Sequence, residues 1–383
     1  MKKILTVLFV SVLFVHSALF ALTPDPGESI WSILYSVGQT IDSSSGSGVE
    51  CDTRTQISDP GDGGTHVIDT AGNYVVIQDF ANAGISIEAN NVDLDLNGRE
   101  IVRNATSGQS IIEVDSSCKN VSIHDGYVRD SSGSNNAYGV ALTNSNSNIQ
   151  LKNVAAFECA RGFSLDGILG SEIDSCKVID CTLAENTAGM YIDAVNNSFF
   201  ANCRVIRSTR YGFDISSGNY NYFLNCHVLD LNSTLNHCSG FRLESGKGVL
   251  FRRCVVKNIL QSSPAVGARG FTFYNYATFD IKIIDCLVSG IEASSWAYGI
   301  HVPDGPEGCI LKNNTLVNCG HGFSADSGVF VVDNNAAIQN LSFNNGSSET
   351  DNYEQVNNID YYDVLGTDNV ERMDNIWVTW GTP

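Results

Sequence analysis

Residues 211–228 read YGFDISSGNYNYFLNCHV, and residues 239–256 read SGFRLESGKGVLFRRCVV. Both carry glycine followed by phenylalanine at their second and third positions, and both end on Phe-x-x-Cys-x-Val. The opening phrase, glycine then a large apolar residue, occurs eight times: Gly139-Val140, Gly162-Phe163, Gly189-Met190, Gly212-Phe213, Gly240-Phe241, Gly270-Phe271, Gly299-Ile300 and Gly322-Phe323. The intervals are 23, 27, 23, 28, 30, 29 and 23 residues. A period of that size marks a chain built from stacked coils.

After each glycine the apolar residues alternate with polar or small ones, as in Phe213 and Ile215, Phe241 and Leu243, or Phe271 and Phe273. That is the period of a strand. Between the two phrases lie Asn, Ser, Gly and Asp clusters suited to turns, with no amphipathic run of helical length. Like positions then meet coil upon coil in parallel pairing about 4.8 Å apart, and the crossover rule makes the winding right-handed. The expected fold is all-β, a single-stranded right-handed parallel β-helix solenoid of about ten coils. A leucine-rich-repeat horseshoe has a similar period, but it uses Leu-x-x-Leu-x-Leu phrases and a helical segment, whereas these coils use Phe, Ile, Val and Cys.

The chain has 383 residues, 43% of them hydrophobic, and a formal charge of −20. A solenoid of this length can be one domain, because each repeat touches only its neighbours. Residues 1–21 read as a secretory signal: Lys2 and Lys3, an apolar run from Ile4 to Val15, then Ser17, Ala18 and Ala21. An uncleaved anchor is the other reading, with an apolar run short for a span. Loss of the two lysines takes the charge from −20 to −22. No later stretch is apolar enough to cross a bilayer, so the expectation is a secreted, periplasmic or cell-surface protein without a transmembrane segment once the signal is gone.

Residues 22–66 are expected to hold an N-terminal cap and linker. Asp25, Pro26 and Glu28 mark a helix start, and Ile30, Trp31, Leu34 and Val37 its apolar face; a flexible leader is the alternative. The solenoid is expected over 67–344, beginning near Val67. Val92-Asp-Leu94-Asp-Leu96-Asn97-Gly98 and Val121-Ser-Ile123 with Asp125-Gly126 repeat one design a coil apart. Residues 345–383, rich in Asp, Glu and Asn and carrying Trp377 and Trp380, read as an acidic C-terminal cap or tail.

The Gly-aromatic coils, with the phrase from Gly84 to Gly98, resemble the right-handed parallel β-helix superfamily, also called pectin-lyase-like, over about Val67 to Leu341. The resemblance implies the fold. It does not choose among polysaccharide lyases, glycoside hydrolases, epimerases, phage tailspikes, adhesins and non-catalytic periplasmic proteins, all of which share it. Gly320-His321-Gly322-Phe323-Ser324 resembles the Gly-His-Gly-x-Ser of polygalacturonase-type hydrolases. The Asp-Asp pair and Arg-x-Lys of that family have no counterpart at suitable spacing, so none of its catalytic residues is carried over.

Five cysteines, Cys176, Cys203, Cys226, Cys254 and Cys286, follow their repeat glycines by 14, 14, 14, 14 and 16 residues and form one expected inward column. Their spacing fits either a ladder of free thiols or disulfides between coils. Nothing has paired Cys-x-x-Cys or Cys/His spacing, so no metal site is expected; no cofactor is assigned, Ca2+ having no supporting motif.

Pointing away from the core, one column reads Asp214, Arg242, Thr272, His301, Ser324 and the next Asp193, Ser216, Glu244, Tyr274, with Tyr211, Arg269, Tyr298 and His321 before the glycines. Aromatics among carboxylates, arginines and histidines suit a sugar-binding groove. The candidate catalytic set is Asp193, Asp214, Arg242 and Glu244, and the candidate substrate-binding set Tyr191, Tyr211, Tyr274, Tyr298 and His301. The bland reading makes Asp214 and Arg242 a solvated surface pair. The functional expectation is an exported protein that binds extracellular or cell-surface polysaccharide, with lyase or hydrolase chemistry as its enzymatic option. The alternative is a non-catalytic structural or adhesive protein. Net acidity argues against a bare polyanion and against nucleic acid as partner.

The columns themselves give the first prediction. Phe213→Ala is expected to lower stability by roughly 3–5 kcal/mol in urea unfolding; a loss below about 1 kcal/mol would place Phe213 outside the core.

Overall fold

The computed structural model describes residues 53–104, 109–132, 138–181, 188–234, 236–264, 266–274, 278–302, 308–325, 330–333, 335–338, 342–344, 353–356 and 359–361. The described residues from Arg54 onward form one compact unit. The expected leader and N-terminal helix, Cys51, Trp377 and Trp380 lie outside the described residues.

Every element among the described residues is a strand. One twelve-stranded sheet takes a strand from each successive coil, from Thr65–Ile68 through Ala188–Asp193, Tyr211–Ile215, Cys238–Leu243, Ala268–Phe273, Ala297–Val302 and His321–Ala325 to Ser342–Asn344. All its ladders are parallel, and sheet order follows chain order. Between successive strands of this sheet the chain contributes strands to the other walls, such as Phe199–Ala201 and Arg204–Ile206, which also pair in parallel with their counterparts a coil away. The result is a parallel β-helix. Pairing starts at Thr55–Ile57, ahead of Val67, and reaches Tyr353–Val356 and Ile359–Tyr361, where the sequence suggests a cap. The end coils lack the glycine-aromatic phrase that marks the middle ones.

Two columns of phenylalanine fill the middle of the solenoid. Phe200, Phe223 and Phe251 stack at centroid spacings of 4.6 and 4.9 Å, and Phe213, Phe241 and Phe271 at 4.7 and 4.9 Å. The columns meet edge to face, at 5.9 Å for Phe213 on Phe223 and 5.3 Å for Phe241 on Phe251. Both geometries suit the ring quadrupole, and each buried ring adds about 1.5–3 kcal/mol through area alone.

The repeat glycine and the valine of the second phrase are two sides of one contact. A methyl group on Gly212 would lie 2.5 Å from Val228 Cγ1 and 2.6 Å from the Gly240 carbonyl oxygen; on Gly240 it would lie 2.6 Å from Val256 Cγ1. At this edge the walls converge so closely that only a hydrogen fits. Farther round, the residue before each cysteine of the column takes a left-handed turn: Ser175, Asn202, Asn225, Arg253 and Asp285 have φ of 52–57°, as has Asn313 before Asn314. Asn and Asp tolerate that conformation best, which explains the recurrent Asn-Cys.

The cysteine column is present, and all eleven described cysteines are buried free thiols. Each thiol donates to a carbonyl one coil back: Cys203 to Ile173 at 3.3 Å, Cys226 to Phe200 at 3.5 Å, Cys254 to Phe223 at 3.4 Å and Cys286 to Phe251 at 3.7 Å. Asn314 and Asn335 continue the column, their Nδ2 atoms donating to Ile283 and Leu311 at 2.9 and 3.0 Å. Thiol and carboxamide thus do one job, donating to a strand carbonyl of the preceding coil.

Gly212→Ala is expected to destabilise the protein by roughly 1–3 kcal/mol. Adding Val228→Ala is expected to recover part of that loss, because half of the clash is with the valine. Urea melts arranged as a double-mutant cycle read the coupling; strictly additive losses would show that the two residues do not meet.

Candidate functional site

The strand register sets the outer columns. Asp214, Arg242, Thr272 and His301 are successive Cα partners, and so are Tyr211, Ser239, Arg269 and Tyr298. Phe213 and Ile215 face the core, so Asp214 must face away from it.

Facing away from the core does not put these groups in water. Tyr211, Asp214, Ser239, Arg269, Thr272, Tyr298 and His301 are all less than a tenth exposed. The solvated-surface reading of the column is therefore corrected. Alternation gives the direction of a side chain but not what covers it, and here the long side chains lie over one another. Arg242 sits over the rings of Tyr211 and Tyr274 at 4.9 and 5.6 Å, and Arg269 over Tyr274 at 5.5 Å, also donating to its hydroxyl. Arg210 also lies over the ring of Tyr211, at 4.6 Å. Tyr298 stacks on His301 at 4.5 Å and on His321 at 5.2 Å.

Three of the four candidate catalytic residues come together. Arg242 pairs with Asp214 at 2.8 Å and with Glu244 at 3.1 Å, the pair with Asp214 being mostly shielded and Glu244 nearer solvent. Burial pushes the Asp214 carboxyl above its ordinary range and Arg242 opposes the shift, while Asp214 helps hold the Arg242 guanidinium charged. Asp193 is held separately: its carboxylate accepts from Tyr191 Oη at 3.3 Å and Ser217 Oγ at 2.7 Å. Its partner in register is Asp166, whose carboxyl is pushed up by burial and by Asp193. All five candidate binding residues lie on this face; Tyr191 packs under Arg161 at 4.0 Å.

Several buried polar atoms on this face have no hydrogen-bond partner: Ser239 Oγ, Arg242 Nε, Arg269 Nε, Thr272 Oγ1 and His301 Nδ1. The pattern of residue types pointed to the face, but Ser239 and Thr272 are ordinary strand residues in sequence. Only register sets them beside the arginines.

A second polar group was not foreseen. Asp95, His124 and Asp125 bring three potential ligand atoms within 4.8 Å of one another. His124 Nδ1 lies 3.0 Å from Asp125 and Nε2 lies 3.3 Å from Asp93, while Arg54 already pairs with Asp95. The group can hold a divalent cation in ligand type, yet each member already has a partner. On another wall Phe199 and Tyr222, partners in register, are 37% and 49% exposed.

His301 gives a pH prediction. Burial, with Arg269 and His237 nearby, lowers its pKa from 6.5 to about 3. A depressed folded-state pKa means the unfolded chain protonates first, so this contribution is complete above pH 6.5 and drains away as pH falls towards 3. Parent stability minus that of His301→Gln is expected to fall by roughly 1.4 kcal/mol per pH unit across that window. A difference flat with pH in urea titrations would mean that His301 is not buried neutral.

Residues 125–275 match the family model described as "Right handed beta helix region". No curated protein sequence matches the chain. Among solved structures, one titled "Geobacillus virus E2 - ORF18" is 15% identical, with a TM-score of 0.44 over 73% of this chain and 55% of that one. The catalytic domain of GH87 alpha-1,3-glucanase in complex with nigerose is 12% identical, with a TM-score of 0.47 over 80% of this chain and 64% of that one. The Streptococcus pneumoniae surface protein and adhesin PfbA is 10% identical, with a TM-score of 0.36 over 78% of this chain and 91% of that one. The chain spans less than two thirds of the first two. The family match over residues 125–275 and the coil geometry agree on the fold, a right-handed parallel β-helix.

Proposed function

We propose that the protein binds polysaccharide, extracellular or on a cell surface, along the face that runs from Tyr191 to His301. The observation that carries this reading is the set of buried polar atoms without partners, Ser239 Oγ, Thr272 Oγ1 and His301 Nδ1, lying among tyrosine rings. Buried polar groups are normally satisfied, and a sugar offers both what these atoms lack and the flat faces that rings prefer. The N-terminal Lys2 and Lys3 ahead of the apolar run support export as part of the same proposal. Among the described residues no helix is long and apolar enough to cross a membrane.

Binding is favoured over cleavage because the carboxylates are engaged. Asp214 is tied to Arg242, and Asp193 to Tyr191 and Ser217. A general acid and base need a proton within reach of the substrate, and ties of this kind hold the groups as positioning elements.

A glycan array and a depolymerisation screen on the parent and on Thr272→Val test the reading. The expected result is glycan binding by the parent, a roughly tenfold loss in the variant from one unmade buried hydrogen bond, and no shortening of any polymer. Polymer shortening would make the protein an enzyme. An empty array would favour the structural or adhesive alternative.

A further inference from the structure

Arg269 is the outstanding group on this face. It is 6% exposed, and no carboxylate lies within ion-pair distance of it among the described residues. Its guanidinium donates to Tyr274 Oη, and its Nε is buried without a partner. Arg242, one coil earlier, shows the usual solution, with Asp214 at 2.8 Å and Glu244 at 3.1 Å. Buried charges are normally paired, so among the described residues Arg269 lacks an anion that its neighbour has.

The groups around it form a donor set. Ser239 is the Cα partner of Arg269, and Thr272 the partner of both Arg242 and His301. Ser239 Oγ, Thr272 Oγ1, Arg242 Nε and His301 Nδ1 are buried and unpartnered, as is Arg269 Nε. His237 Nδ1 accepts from the Gly267 amide at 2.9 Å and adds no carboxylate. A guanidinium fork beside hydroxyl donors is the arrangement that holds a carboxylate or a sulfate. The rings of Tyr274, under Arg269, and Tyr298, stacked on His301, supply flat walls beside it.

We propose that Arg269, with Arg242, Thr272, Ser239 and His301, holds one acidic substituent, a carboxylate or sulfate, carried by an otherwise neutral glycan. This rests on the reading of the face as a glycan-binding one. The neutral remainder follows from the whole chain, whose formal charge of −20 repels a polyanion while leaving room for a single acidic group at a local cationic point.

The test is binding of the full chain to an array of neutral glycans, matched glycans bearing one glucuronate or one sulfate ester, and polygalacturonate. The parent is expected to prefer singly acidic glycans at least tenfold over their neutral counterparts and over polygalacturonate. Arg269→Gln is expected to erase that preference, and Arg269→Lys to keep part of it. Glucuronate hits without sulfate hits, or the reverse, identify the anion, and either supports the proposal. Equal binding of neutral and acidic glycans would overturn the proposal and leave the glycan-binding reading standing, whereas binding to none would overturn both. If Arg269→Gln fails to fold, as its circular dichroism and melting would reveal, Thr272→Val serves. It is expected to weaken acidic more than neutral glycans, and a uniform loss would count against the proposal.

Discussion

Ring-on-ring registration of successive coils is the constraint on which the rest of the structure depends. Phe213, Phe241 and Phe271 stack because the coils that carry them pair in parallel at fixed spacing, and Phe200, Phe223 and Phe251 hold the opposite column to the same pitch. With the pitch fixed, the wall at Gly212 approaches Val228 so closely that a β-carbon does not fit. The corners tighten as well, selecting Asn or Asp at the left-handed residue and a small donor, thiol or carboxamide, just after it. Each sequence signature of the repeat is a local answer to that one packing problem.

The same registration dictates what happens outside the core. A residue type placed at one outward position meets its counterpart from the next coil whether or not the two are compatible. Asp214 beside Arg242 and Arg242 beside Thr272 are consequences of register, as is the sandwich of Arg242 between Tyr211 and Tyr274. Most of these groups satisfy one another. Arg269, Thr272 and Ser239 are left with buried donors unmet, in the middle of the face and flanked by aromatic rings. Departures from mutual satisfaction concentrate where a protein does something other than fold.

The fold was legible because it is written redundantly. Eight copies of the glycine phrase and five cysteines at a near-constant distance from it make chance alternation untenable, and register could be read from Gly212 and Gly240 alone. The ends were less legible: the strands Thr55–Ile57 and Tyr353–Val356 pair through backbone hydrogen bonds without the marker phrase. The columns of the site were legible too, since period two fixes which residues share a face. Their burial was not. Alternation says that Asp214 and His301 leave the core, while the packing of arginine and tyrosine side chains over them is a tertiary fact. The Asp95, His124 and Asp125 group escaped notice because its members come from adjacent coils with no motif between them.

A crystal structure of the protein with a singly acidic oligosaccharide is the most direct measurement. The acidic group is expected within hydrogen-bond reach of Arg269 and Thr272, with a sugar ring against Tyr274 or Tyr298. A ligand seated instead on the exposed Phe199 and Tyr222 wall, with the Arg269 side chain unchanged, would contradict the assignment of this face.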